Sequence, residues 1–299
     1  MAKGNLPDPS EFRQAARTHQ RDWVTNYLHV YPTHPKRVTL PVAEAVTGKN
    51  FYTAPEVRDA VLERFPRTFT LNASGHPSTR AADALSSAHI PFNLFAPLRA
   101  SILTPALAPF VTTLAARHVT SVSAIRFEFA DPKAKKAIGD NTSFDVYVLA
   151  QAPRSGGPTV IVGVEVKYTE GPYSWGKREK RRMFAVDDPY HRLTASSGLF
   201  NVGATSELRT RHLKQMWRNM LLGAATADTT QAEFIYLHLY PRGNLYQAAA
   251  CSLFGEQLTP KGLVLFRPIT YEGFLTAAAE TLPADVIPWL EYVRTRYVV

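Results

Sequence analysis

Residues 159–170, TVIVGVEVKYTE, are the stretch on which the fold turns. Thr159, Val160, Ile161, Val162 and Val164 form a β-branched run of the kind found in buried strands. Glu165 and Lys167 then follow two positions apart, so in a strand they project from the same face. Val162, Val164 and Val166 make one face apolar, and Ile161 and Gly163 make the Glu165 face apolar as well. A strand apolar on both sides belongs in the middle of a sheet covered on both faces. Charged groups are rarely buried there unless they are paired or bind a metal. The two charges therefore mark a site; the alternative is a half-exposed strand carrying a solvated Glu–Lys pair, which adds little stability.

Upstream, NTSFDVYVLA (141–150) also has strand character, and Asp145 is its only acid. The segment QAPRSGGP (151–158) has the Gly and Pro of a hairpin loop, which places the two strands side by side. Asp145 and Glu165 then approach each other across the pair. Two converging carboxylates repel unless one takes up a proton or a cation sits between them. Mg²⁺ favours carboxylates, waters and phosphate oxygens, and a neighbouring lysine can stabilise developing negative charge or act on a water. An Asp followed by Glu-x-Lys on adjacent strands is what metal-assisted phosphodiester hydrolysis requires.

These residues, Asp145 in SFDVYVL and Glu165-Val166-Lys167 in VGVEVKYTE, resemble the PD-(D/E)XK nuclease superfamily. The similarity extends to a bacterial branch of restriction-endonuclease-like proteins through GVEVKYTE, SSAHIPFNLF (86–95) and a downstream Gln/Arg helix. Phe144 stands where many members have proline. The resemblance implies an α/β restriction-endonuclease-like core with a central mixed sheet flanked by helices. It implies that Asp145 and Glu165 ligate Mg²⁺, with Mn²⁺ as a substitute, that the Val166 carbonyl adds a ligand, and that Lys167 acts on the attacking water. The expected substrate is DNA, with RNA not excluded, and a homodimer is compatible with it.

Further candidates surround this core. Glu128 is either a third metal carboxylate or a solvated acid paired with an arginine. Gln215, flanked by Arg211 and Arg218 at helical spacing, either faces the site or lies on a solvated helix face. WGKREKRRMF (175–184) carries Lys177, Arg178, Lys180, Arg181 and Arg182, a basic segment suited to backbone phosphates, with Tyr173, Trp175 and Tyr190 as stacking candidates. Glu170 is expected at the surface, Trp217 and Met220 in the core, and Ser86, Ser87, His89 and Asn93 at helix termini on the substrate side.

Composition agrees with a polyanionic partner: 34 Lys and Arg against 25 Asp and Glu give a formal net charge of +9 over 299 residues. The one cysteine, Cys251, excludes an intramolecular disulfide framework and is expected to be buried and inert. No apolar run approaches the roughly 20 residues of a membrane span, and the N-terminus lacks the apolar stretch of a secretory signal, so a cytoplasmic protein without membrane contact is expected.

Helices are expected over 9–30, 54–65, 78–90 and 207–224, strands over 121–130, 141–150, 159–168, 231–241 and 261–268, and two helices at the end. The expected organisation is an N-terminal helical region (1–119) packed on a nuclease-like core with C-terminal helices (120–299), as one continuous domain.

Overall fold

The structure, a computed structural model, describes residues 6–34, 37–153, 158–185 and 188–299, with Arg178 and Arg182 described by their backbone alone. Five strands form one sheet in the order β1 (Ser121–Phe129), β2 (Phe144–Gln151), β3 (Thr159–Val166), β4 (Glu233–Tyr240) and β5 (Phe266–Thr270). The first three make an antiparallel meander, whereas β3–β4 and β4–β5 are parallel. A parallel neighbour needs a long crossover, and here the crossover from β3 to β4 ends in the helix Lys214–Thr230. The hairpin loop expected at 151–158 lies in part outside the described residues, yet the β2–β3 pairing it implies is present from Gln151↔Thr159 to Val146↔Val164.

Alternation along the central strands sorts their side chains into two cores. Val160, Val162, Val164 and Val166 of β3, with Ile235, Leu237 and Leu239 of β4, face the helices Ile90–Phe95, Thr104–Ala115 and Tyr271–Thr281. Ile161, Phe234 and Tyr236 face the opposite way, onto Trp217, Met220 and Leu221 of the 214–230 helix. Both faces of β3 are thus covered, which is why its sequence is apolar on both sides. Gly163 is fixed by this packing: a Cβ there would lie 2.6 Å from the Phe144 ring.

Four expectations need correction. The 78–90 helix is interrupted, because Leu40 and Val38 bond to Ala82 and Ala84 and the Asp83 carboxylate takes the Leu85 amide (2.9 Å). The 207–224 helix begins only at Lys214; the Arg211 carbonyl accepts from the Tyr173 amide (3.2 Å) instead of continuing a helix. The segment 261–265 is helical, with Pro260 at its first turn and Thr259 capping it, and strand structure begins at Phe266. A helix at Leu245–Gly255, N-capped by Asn244, was not anticipated. No single helix among the described residues is long and apolar enough to cross a membrane.

Candidate active site

Strand register lines up three acids. Phe127 pairs with Val146 and Phe129 with Phe144, so Glu128 stands opposite Asp145. One step beyond Val146↔Val164, Asp145 stands opposite Glu165. The row lies where β3 and β4 end, the carboxyl edge of the parallel pair.

Glu165 is almost fully buried, at 3% exposure. One carboxylate oxygen is ion-paired with the Lys167 ammonium, and the other accepts from Asn219 Nδ2 at 2.6 Å. Lys167, equally buried, also donates to the Tyr173 hydroxyl (3.1 Å) and lies 4.8 Å from that ring. Burial opposes its charge, but Glu165, Tyr173 and Asp145 more than offset this and hold its pKa well above the ordinary lysine value. Lys167 is therefore an ammonium at neutral pH.

Asp145 is partly accessible to solvent and accepts from the Val166 amide at 2.7 Å. The amide that strand pairing would have satisfied is taken by the carboxylate, which pins Asp145 to the backbone of the Glu-x-Lys strand. Its pKa is raised well above the usual carboxylate range, by burial first and then by the charge of Glu165, against Lys167 and the Val166 amide. Ionising Asp145 therefore sets a second negative charge beside Glu165 that Lys167 and the Val166 amide do not fully offset.

Glu128 has φ +47°, a left-handed conformation that costs a non-glycine residue about 1–3 kcal/mol and is commonest at functional sites. It lies 3.6 Å from the Arg80 guanidinium and accepts from Ser143 Oγ (3.3 Å). Burial raises its pKa, with Arg80 pulling the other way. Arg80 donates to the Ala88 carbonyl (2.9 Å) and stacks 3.6 Å from the Phe65 ring, so its position is set by the N-terminal region.

Among the described residues no group of three or more His, Cys, Asp or Glu side chains converges closely enough to hold a metal ion, so Glu128 does not close a three-carboxylate cage with Asp145 and Glu165. The donor set nevertheless fits a hard divalent cation. Asp145 Oδ1 makes no hydrogen bond among the described residues, each Glu165 oxygen has lone-pair capacity left after one contact, and a cation would relieve the repulsion that opposes ionisation of Asp145 beside Glu165.

Gln215 is partly exposed, one turn before Asn219 on the same side of the helix. Arg218 is paired with both Asp140 and Glu179 (2.8 Å each), so a freely available phosphate contact, as expected from sequence, is not what the structure presents. Arg211 is exposed and precedes the helix. The basic segment is itself a short helix, Lys177–Met183, with Lys177, Lys180 and Arg181 exposed; the side chains of Arg178 and Arg182 lie outside the described residues. Tyr190 is buried at 1% exposure with its hydroxyl on Asp140 (2.6 Å), and Trp175 lies 4.2 Å from the Lys214 ammonium, so of the three stacking candidates only Tyr173 is substantially open.

Behind the acids runs a buried polar chain. His238, opposite Glu165 in β4, contacts the Tyr236 hydroxyl (3.0 Å) and Gln247 Oε1 (3.1 Å) through its two ring nitrogens. Gln247 Nε2 donates to the Glu170 carbonyl (3.1 Å). Burial, then the Lys167 charge, push the His238 pKa down to about 4. The peptide leaving β3 is held from several sides: Tyr271 donates to the Lys167 carbonyl (2.7 Å), Asn244 to the Tyr168 carbonyl (2.7 Å), Gln20 to the Tyr168 hydroxyl (3.0 Å) and Arg13 to the Thr169 carbonyl (3.1 Å).

Glu170 is part of this clasp, accepting from the Tyr168 and Ser87 amides (2.7 and 3.2 Å), rather than a surface acid. His89 and Asn93 are fully buried, with Asn93 bonded to the Tyr297 hydroxyl (2.6 Å) and His89 beside Arg296, so they brace the chain ends instead of facing a substrate. Ser86 does cap its helix, through the Ala88 amide (3.2 Å). Trp217, Met220 and Cys251 are buried, as expected, and burial pushes the Cys251 thiol pKa up.

The acids thus stand in a row at the carboxyl edge of a mixed sheet, with a buried Glu-x-Lys and a helix crossing behind it. The family model of the PD-(D/E)XK nuclease superfamily matches residues 7–299, essentially the whole chain, and the protein belongs to that superfamily. No curated protein and no solved structure matches the chain.

Proposed function

We propose that the protein is a divalent-metal-dependent nuclease that hydrolyses DNA phosphodiester bonds, with Asp145 and Glu165 holding the metal. The observation that carries this reading is the buried Lys167 ammonium, fixed between Glu165 and Tyr173 and within the field of Asp145. When bound, the divalent ion lowers the pKa of a water and neutralises charge on the phosphate. Lys167, being charged, orients that water and stabilises the negative charge that develops on the phosphorane-like centre. Asn219 holds the Glu165 carboxylate in one orientation, and the Val166 amide does the same for Asp145. Gln215, partly exposed and one turn from Asn219 on the same side of the helix, is the further candidate for a substrate contact. The test is supercoiled-plasmid cleavage with Mg²⁺ or Mn²⁺; cleavage lost in folded Asp145→Ala and Lys167→Ala variants supports the reading, and no cleavage of any DNA or RNA by the wild type overturns it.

One observation favours a second reading, a nuclease-fold protein that binds nucleic acid without cutting it: both Glu165 oxygens are engaged, and no three-carboxylate group is assembled among the described residues. In that case Asp145→Ala leaves binding unchanged or stronger, and the wild type shows salt-dependent binding with no cleavage.

A further inference from the structure

Two cavities share a wall beside the Glu128 end of the acid row. One, of about 490 Å³, is lined by Arg64, Arg99, Arg126, Glu63, Glu128 and Lys135 among others. The second, of about 850 Å³, is lined by Lys135, Lys136, Asp140, Glu179, Tyr190 and Arg218 among others. Lys135 borders both, so the two adjoin there, and the groove they make meets the site at Glu128, which lines the smaller one.

The charges on this groove divide unequally. Each of its acids has an arginine partner: Glu63 with Arg99 (2.7 Å), Glu128 with Arg80 (3.6 Å), and Asp140 and Glu179 with Arg218 (2.8 Å each). Arg99 is committed further, to the Ile125 carbonyl (3.0 Å). Four cations remain without an ion pair among the described residues: Arg64, Arg126, Lys135 and Lys136. Arg64, Arg126 and Lys136 are exposed and Lys135 is half-buried. They stand on three elements, the helix Pro55–Arg64, β1 and the helix Pro132–Ile138.

We propose that this groove is the track of a duplex sugar–phosphate backbone, with Arg64 and Arg126 along the cavity that reaches Glu128, Lys136 along the other, and Lys135 where the two meet. The assignment rests on the nuclease reading above and adds the path of its substrate. A duplex is favoured over a single strand because the two cavities are lined by no open aromatic face: Tyr190 and Phe127 are buried, Arg126 covers Phe129 at 4.8 Å, and the more open Tyr173 lies against Lys167 and lines neither cavity. Phosphate contacts position a duplex without reading its sequence. Glu179 and Met183 on the wall of the larger cavity belong to the basic helix 177–183, so that helix borders the same track.

The test is fluorescence anisotropy with a labelled DNA duplex in EDTA, so that binding is read without cleavage, across a salt series. Lys135→Glu/Lys136→Glu and Arg64→Glu/Arg126→Glu, each checked for folding by circular dichroism, are expected to weaken binding about tenfold or more. The neutral double variant Lys135→Ala/Lys136→Ala should reduce the salt slope by about 2, near 0.9 per lost phosphate contact. Lys261→Glu, on a separate cavity at the start of β3 and β4, should bind like the wild type. Wild-type affinity in both charge-reversed variants, with DNA still bound and cut, overturns the track while leaving the nuclease reading intact. Tighter binding of an RNA duplex, or of single strands, through the same four residues overturns the DNA-duplex assignment. A wild type that neither binds nor cuts removes both readings.

Discussion

Asn219 supports the Glu-x-Lys motif from a helix 54 positions downstream of Glu165, and its replacement gives a quantitative test of the site. Its Nδ2 donates to Glu165 at 2.6 Å, with both side chains essentially inaccessible. A buried hydrogen bond to a charged acceptor contributes about 1.5–3 kcal/mol, so Asn219→Ala should cost about 2 kcal/mol. For a chain of this size that is a fall in Tm of about 4 °C. Asn219→Asp is nearly isosteric but sets a second carboxyl against Glu165. Two unit charges about 4 Å apart repel by about 4 kcal/mol at an effective dielectric constant of about 20. The introduced carboxyl avoids most of this by staying protonated, with its pKa raised by about 3 from the usual ~3.9. A carboxyl whose folded-state pKa is raised keeps its stability below the unfolded value and loses it as pH rises. Asn219→Asp should therefore match the wild type near pH 4 and fall behind it between about pH 4 and pH 7. Thermal unfolding followed by circular dichroism across that range gives the difference curve. A flat curve, with the variant as stable as the wild type at pH 8, would refute the contact between Asn219 and Glu165.

Four further outcomes follow from the same geometry. Asp145→Asn removes one of the mutually repelling acids, so the metal-free variant should melt at or above the wild-type temperature; Mg²⁺ at a hundred times its Kd should stabilise the wild type by about 2.7 kcal/mol but not the variant. Lys167→Met leaves Glu165 buried without its cation, which should cost about 3–5 kcal/mol in denaturant titrations at neutral pH and abolish cleavage. His238 has its pKa lowered to about 4 from an ordinary ~6.5, so its contribution is complete above the unfolded value and is lost as pH falls through the folded one. His238→Gln should flatten that acid-side loss in the stability profile between about pH 6.5 and 4. Gly163→Ala drives a methyl into the Phe144 ring and should cost about 1–3 kcal/mol by chemical denaturation.

The sheet was largely legible because its signal is local. Alternation and β-branched runs located β1 to β4 to within a few residues, and the both-sided apolarity of β3 placed it centrally. The short β5 was confused with the helix before it, since KGLVL reads equally well as either, and Thr259-Pro260 was the overlooked cue. The Asp145, Glu165 and Lys167 cluster was visible for the same local reason: period two and a hairpin. What supports the cluster was not. Asn219 sits among core residues, and only the crossing of the helix over β3 singles it out from Gln215 and Arg218. Arg80 reaches Glu128 across 48 positions, and the pairing of Arg218 with Asp140 spans 78, distances over which sequence patterning carries no register.

The clasp on the peptide after β3 has a consequence for how the protein comes into being. One of its donors, Tyr271, lies 104 residues downstream of Lys167, while Gln20 lies 148 upstream of Tyr168. A nascent chain that has just emitted the Glu-x-Lys strand lacks the Tyr271 hydroxyl that holds the lysine's own carbonyl. The last strand and this anchor arrive together, since Thr270 ends β5 and Tyr271 follows it, and a chain halted short of residue 271 carries the motif without one of its anchors.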